Sequence, residues 1–213
     1  MTLRRRFDIR VEGADLVPRR GPVILVSNHM GYADGPLLVG LAPRPVHALV
    51  KQTMFVGRLG YALTQAGQIS VNRRQLDPRA VKTCLRVLAT GGVVAVYPEG
   101  LRGRGDVRRT RPGAAYLALV TGAPVVPVAC LGTREDGAPM DSRPPSGARL
   151  DLVFGPPMHV AATPWPRTQA RVAAVQAEVQ STLEAHVRAT CERTGHIFPT
   201  MPAGGSHDRQ VLR

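Results

Sequence analysis

The feature that most constrains this chain is a regular alternation. Short β-branched apolar runs are separated by stretches with helical spacing. The runs are 7–11 (FDIRV), 23–27 (VILVS), 46–50 (VHALV), 68–71 (QISV), 93–97 (VVAVY), 125–131 (VVPVACL) and 149–154 (RLDLVF). Several are apolar at every position, the pattern of strands covered on both faces rather than one. Between them, helices are expected at 35–41, 54–65, 78–90 and 113–121. The clearest is 78–90, with Asp77 as N-cap, Pro78 at the first helical position and Gly91 just past the end. A β-α-β-α order argues for an α/β fold: a mostly parallel or mixed sheet of about seven strands flanked by helices.

Residues 132–148, with several Pro and Gly, read as a loop. Residues 167–194 read as one long helix with Val172, Val175, Val179, Leu183 and Val187 on its packed face. The expected organisation is therefore a single domain over 1–194 and a weakly ordered tail over 195–213. No apolar stretch reaches the ~18–20 residues of a spanning helix, and the basic start MTLRRRFDIR is not followed by an apolar signal core. A cytoplasmic protein is expected. Cys84, Cys130 and Cys191 are scattered without metal-ligand spacing, so buried free thiols are expected and no metal.

Parallel sheets collect their sites at the carboxyl ends of strands. Four successive strand ends here carry polar residues: Asn28-His29-Met30-Gly31-Tyr32-Ala33-Asp34, Lys51, Asn72-Arg73-Arg74, and Pro98-Glu99-Gly100-Leu101-Arg102. Parallel strands would bring the four loops to one edge and one cleft. Ordinary solvated loops would explain any one of them, though not easily all four. His29 and Asp34, five apart, would lie about 140° from facing on a regular helix, so they meet only if the chain turns between them, as Gly31 permits. A carboxylate on one ring nitrogen fixes the tautomer and leaves the other free to accept a proton. No serine or other nucleophile accompanies the pair, so the attacking oxygen would be the substrate's. Read alone, such a pair is more often structural than catalytic.

Asn28-His29 with Asp34 resembles the His-x4-Asp signature of the glycerolipid acyltransferases, the family of the 1-acyl-glycerol-3-phosphate acyltransferases. Three further blocks are similar in the same order: Gly67-Gln68-Ile69-Ser70-Val71-Asn72-Arg73, Tyr97-Pro98-Glu99-Gly100-Leu101-Arg102 and Ala123-Pro124-Val125-Val126-Pro127-Val128. Lys51 falls where the family often has a lysine. The resemblance covers roughly 10–160 and departs at Leu101, usually Thr, and at Tyr97, usually Phe. It implies transfer of an acyl group from acyl-CoA or acyl carrier protein to the hydroxyl of 1-acyl-glycerol-3-phosphate or a similar lysophospholipid. His29 would be the base and Asp34 its orienter. Arg73, Arg102 and Lys51 would bind the acceptor phosphate, while Glu99 and Gly100 shape the cleft, with Glu99 pairing with an arginine or touching substrate. The acyl carrier is a co-substrate, and no resident cofactor is implied. Another lipid acceptor is the main alternative.

The formal charge is +13, from 26 Arg, two Lys and 15 acidic residues. Such a surface suits nucleic acid, anionic lipid or phosphorylated substrates. Nucleic acid is disfavoured, because aromatic residues make up only 4% and no helix-turn-helix, zinc or RNA-binding signature is present. A non-catalytic relative is disfavoured by the intact His29/Asp34 pair, and a serine hydrolase by the absence of G-x-S-x-G. The segment before His29 is short for an extended docking helix, and lipidation signals are missing. A peripheral position on an anionic membrane, at the inner face of the cell membrane, is therefore expected, with the arginines of 102–111 and Arg4, Arg5 and Arg6 as its contacts.

Overall fold

The computed structural model describes residues 3–200. All seven expected strands form: β1 Asp8–Glu12, β2 Val23–Ser27, β3 Val46–Lys51, β4 Ile69–Val71, β5 Val93–Val96, β6 Val125–Leu131 and β7 Arg149–Phe154. They make one sheet in the order β1-β7-β6-β2-β5-β3-β4. β2, β3, β4, β5 and β6 run parallel, whereas β7 is antiparallel to β6 and β1 is parallel to β7. The sheet is thus mixed. β6 and β7 are joined by residues 132–148, which hold no helix, and a parallel neighbour would have needed a longer crossover.

The helices are α1 Leu3–Arg6, α2 Asp34–Leu41, α3 Gly57–Gln65, α4 Pro78–Ala89, α5 Gly113–Thr121 and α6 Gln169–Thr194. The start of α4 follows its expected capping, since the Asp77 side chain accepts from the amides of Arg79 and Ala80. The start of α3 does not. Residues 52–54 form a separate 3-10 turn, Val56 is extended, and Gly57 takes φ +56°, so the helix begins three residues later than its spacing suggested.

β2, β5 and β6 are buried along their whole length, as their unbroken apolar character requires. Alternate residues feed two cores. Ile24 and Val26 join α4, α5 and α6 on one face; Val23 and Leu25 join Leu37 and Leu38 of α2 on the other. Val175, Val179, Leu183 and Val187 form the buried stripe of α6. Cys84, Cys130 and Cys191 are buried free thiols. Of the stretch expected to be a weakly ordered tail, residues 195–200 are described and two of them bond to the body. His196 Nε2 lies 2.7 Å from Asp151, and Thr200 donates to Asp136 through both its amide and its hydroxyl. Residues 201–213 lie outside the described residues.

Candidate active site

Because β2 is flanked by β5 and β6, all parallel, the loops after these three strands meet at one edge. His29 leaves β2, the chain turns, and Asp34 opens α2. The turn is possible because of space more than backbone freedom. A Cβ on Gly31 would lie 2.5 Å from the Thr133 carbonyl oxygen. His29 Nδ1 and Asp34 Oδ2 end 2.7 Å apart. The same Oδ2 accepts the amides of Met30 at 2.7 Å and Gly31 at 3.0 Å, and Oδ1 accepts the Thr133 hydroxyl.

Asp34 is fully buried and so depends on these four donors. With both oxygens accepting from protein donors, the contact fits the His29 tautomer that carries its proton on Nδ1 and leaves Nε2 as the acceptor. Nε2 has no protein partner among the described residues, and the His29 side chain keeps 9% of its surface exposed. That leaves Nε2 available to accept a proton.

The imidazole is fixed on its other sides. Tyr97, next after β5, stacks on it at 4.3 Å between ring centroids and 26° between planes. The His29 amide donates to Glu99 Oε1 at 2.8 Å, and its carbonyl accepts the Gly103 amide at 2.9 Å. Arg134, 4% exposed, donates from Nη2 to the Gly103 carbonyl. Asn28 bonds both the carbonyl and the amide of Cys130, stitching β2 to β6 below the turn. Burial, with Asp34 nearby, pushes the Cys130 thiol well above its usual range, so it is no nucleophile.

Of the two partners expected for Glu99, an arginine or the substrate, the first is not found among the described residues. Glu99 accepts instead from the His29 backbone. Burial raises its carboxyl to about 8, against the opposing hydrogen bond from His29, with Asp106 and Asp34 adding to the rise. Near neutral pH it is therefore mostly uncharged.

Beside it lie three guanidinium groups. Arg73 Nη1 donates to the Gly100 carbonyl at 3.1 Å, and Arg111 Nη1 donates to the Arg73 carbonyl at 3.1 Å. Arg102 donates to Met140 O at 3.3 Å and sits 5.5 Å from the centre of the Tyr32 ring. Burial lowers the pKa of Arg73, and the charges of Arg102 and Arg111 lower it further. None of the three forms an ion pair with a described residue. Lys51 ends β3 on the same edge, exposed and with no side-chain hydrogen bond among the described residues.

Of the expected site residues, the structure brings His29, Asp34, Glu99, Gly100, Arg73 and Arg102 together and leaves Lys51 at the rim. Thr133, Arg134 and Arg111 were not singled out as site residues. Thr133 and Arg134 lie just past β6, beside β2, and that adjacency was the one signal that could have found them. Among the described residues no cluster of His, Cys, Asp or Glu is suited to hold a metal.

A family model described as Acyltransferase matches residues 8–131, more than half of the chain, including the loops after β2, β3, β4 and β5. The chain belongs to the acyltransferase family. It is 28% identical over 158 residues to a 1-acyl-sn-glycerol-3-phosphate acyltransferase of Bacillus subtilis, covering 73% of this chain and 76% of that one. It is 34% identical over 150 residues to a lyso-ornithine lipid O-acyltransferase of Pseudomonas aeruginosa, covering 69% and 55%. Some acyltransferase relatives are much longer, and the chain spans 37% of a chloroplast homologue from Arabidopsis thaliana. The crystal structure of the 1-acyl-sn-glycerophosphate acyltransferase of Thermotoga maritima shares the fold, with a TM-score of 0.65 and 21% identity over 86% of this chain and 72% of that one.

Proposed function

We propose that this acyltransferase moves a fatty acyl group from acyl-CoA or acyl carrier protein to the free hydroxyl of 1-acyl-glycerol-3-phosphate, yielding phosphatidic acid. His29 Nε2 takes the hydroxyl proton as the oxygen attacks the thioester carbon, a role that typically contributes ~10²–10⁴-fold in rate. Asp34 stabilises the imidazolium. As the C–S bond breaks and the ester C–O bond completes, the imidazolium returns the proton to the departing thiolate. The acyl carrier leaves as a free thiol, so no resident cofactor is required.

The observation that carries the choice of acceptor is the trio Arg73, Arg102 and Arg111. Their charges meet beside the dyad without a carboxylate partner, and the nearby Glu99 is mostly protonated. A phosphate monoester supplies the missing anion, and arginine suits its paired oxygens. The 34% identity to a lyso-ornithine lipid acyltransferase favours a second reading in which the hydroxyl belongs to an amino-acid lipid. We place the reaction at the cytoplasmic face of an anionic membrane; a net charge of +13 supports this. No helix among the described residues is long and apolar enough to cross a membrane.

Mass spectrometry of products from lysophosphatidate and from lyso-ornithine lipid, each with acyl-CoA and with acyl carrier protein, tests the proposal. Phosphatidic acid as the dominant product supports it. Acylated ornithine lipid alone transfers the reading to the second acceptor.

A further inference from the structure

The arginine-rich stretch after the Glu99 loop is largely committed to the protein itself. Arg104 and Arg108 pair with Asp106, Arg102 and Arg111 hold backbone carbonyls, and Gln176 and Gln180 of α6 bind the Thr110 and Arg108 carbonyls. A second exposed surface lies at the sheet edge made by β3 and β4, joined to that stretch through the hydrogen bond from Arg111 to the Arg73 carbonyl.

There α3 stands with Gly60 as its only buried residue. Leu59, Leu63 and Ala66 recur at spacings of four and three and so share one face, with extended Val56 just before the helix, while Arg58, Tyr61 and Gln65 fall on another. Val56 is 68% exposed, Leu59 43% and Tyr61 70%. Leu76, 84% exposed, tops the loop after β4. β3 and β4 are parallel with Lys51 opposite Val71, so residues 52–59 and 72–77 leave the sheet from neighbouring strand ends. Lys51, just before the first of these segments, and Arg58 and Arg74, within the two, are exposed, and none forms an ion pair with a described residue. This surface runs into the site through Arg73, which is three residues before Leu76 and bonded to the Gly100 carbonyl.

We propose that α3 and the loop 72–77 form the membrane-docking surface. Val56, Leu59 and Leu76 enter the acyl region of an anionic bilayer, while Arg58 and Arg74 hold its phosphates. Exposed apolar side chains on segments that also carry exposed cations are the chemistry of an interfacial element. A second copy of the chain would bring the same basic residues against themselves. The inference rests on the acyltransferase reading in one respect: docking here sets the arginine trio beside the lipid plane, where an acceptor could enter without leaving the membrane.

The test uses the full chain with sedimenting vesicles of phosphatidylglycerol and phosphatidylethanolamine, and of phosphatidylcholine alone. Wild type binds the anionic vesicles, and added salt weakens binding. The triple variant Val56→Ser, Leu59→Ser, Leu76→Ser lowers the vesicle partition coefficient about tenfold or more, with its thermal midpoint and its transfer to a short-chain soluble acceptor retained. Independently, Leu76→Trp in a Trp165→Phe background gives emission that shifts to the blue and is quenched by brominated lipid. Unchanged partition of the triple variant overturns the proposal, as does emission from the Leu76→Trp variant that is indifferent to vesicles. So does a wild-type dimer that the triple variant makes monomeric while vesicle binding persists. Lost vesicle binding in a protein that acylates no acceptor upholds the docking surface and sinks the enzymatic reading instead.

Discussion

Replacing Glu99 with Gln removes a titration and keeps the hydrogen bond, since the amide oxygen can still accept from the His29 N–H. The ordinary carboxyl value is 4.5, and burial in the fold takes it to about 8. Below about pH 4.5 Glu99 is protonated in both the folded and the unfolded chain and costs nothing. Between 4.5 and about 8 the folded chain holds a proton that the unfolded chain has released, so stability falls as pH rises. Above about 8 the loss is complete, and it amounts to at most about 5 kcal/mol. A domain is stable by about 5–15 kcal/mol in all, so the effect is large enough to measure. Other titrations are shared by both proteins and cancel in their difference. Urea denaturation of wild type and Glu99→Gln at pH 5, 6, 7, 8 and 9 is the assay. The variant is expected to gain on wild type by up to about 1.4 kcal/mol per pH unit, and the gap to level off beyond about pH 8. Parallel stability curves for the two proteins would refute the assignment of a buried, neutral Glu99.

Three other outcomes follow from the site. Thr133→Val strips a donor from fully buried Asp34 and should cost about 1.5–3 kcal/mol of stability. It should also lower kcat about tenfold, whereas Thr133→Ser keeps most of both; urea melts and initial rates check this. Asp34→Asn should stay folded yet lose roughly 10²-fold or more in kcat, because the wrong tautomer of His29 is favoured. Arg73→Ala should raise KM for a phosphate-bearing acceptor about tenfold or more while KM for the thioester barely moves, as steady-state kinetics with each substrate varied would show.

The strands were legible because they are unbroken apolar runs, a pattern that few other elements share. Asp77-Pro78 was legible as a helix start because capping is a local interaction. The meeting of His29 and Asp34 could also be anticipated, since five residues and a glycine limit the ways the chain can turn. Other features depend on contacts between distant segments. β1 pairs with β7 across most of the chain, and nothing local in DIRVE specifies that partner. Thr133 reaches Asp34 from a segment that composition marks only as a loop. The protein partner of Glu99 is a backbone amide rather than an arginine, a group that every residue but proline carries and that sequence therefore does not mark. The exposed arginines of 102–111 were legible as surface charge, whereas the hold of Gln176 and Gln180 on that stretch was not, because those contacts join distant segments.

The central claim is that His29, held by Asp34, is the base for acyl transfer to a lipid hydroxyl. Its most direct test is the initial rate of thiol release and ester formation from an acyl thioester and lysophosphatidate, for wild type and for His29→Ala shown to be folded. The account predicts matched thiol and phosphatidic acid from wild type, and a fall of about 10²–10⁴-fold in both for the variant. Near-normal ester formation by folded His29→Ala would contradict it.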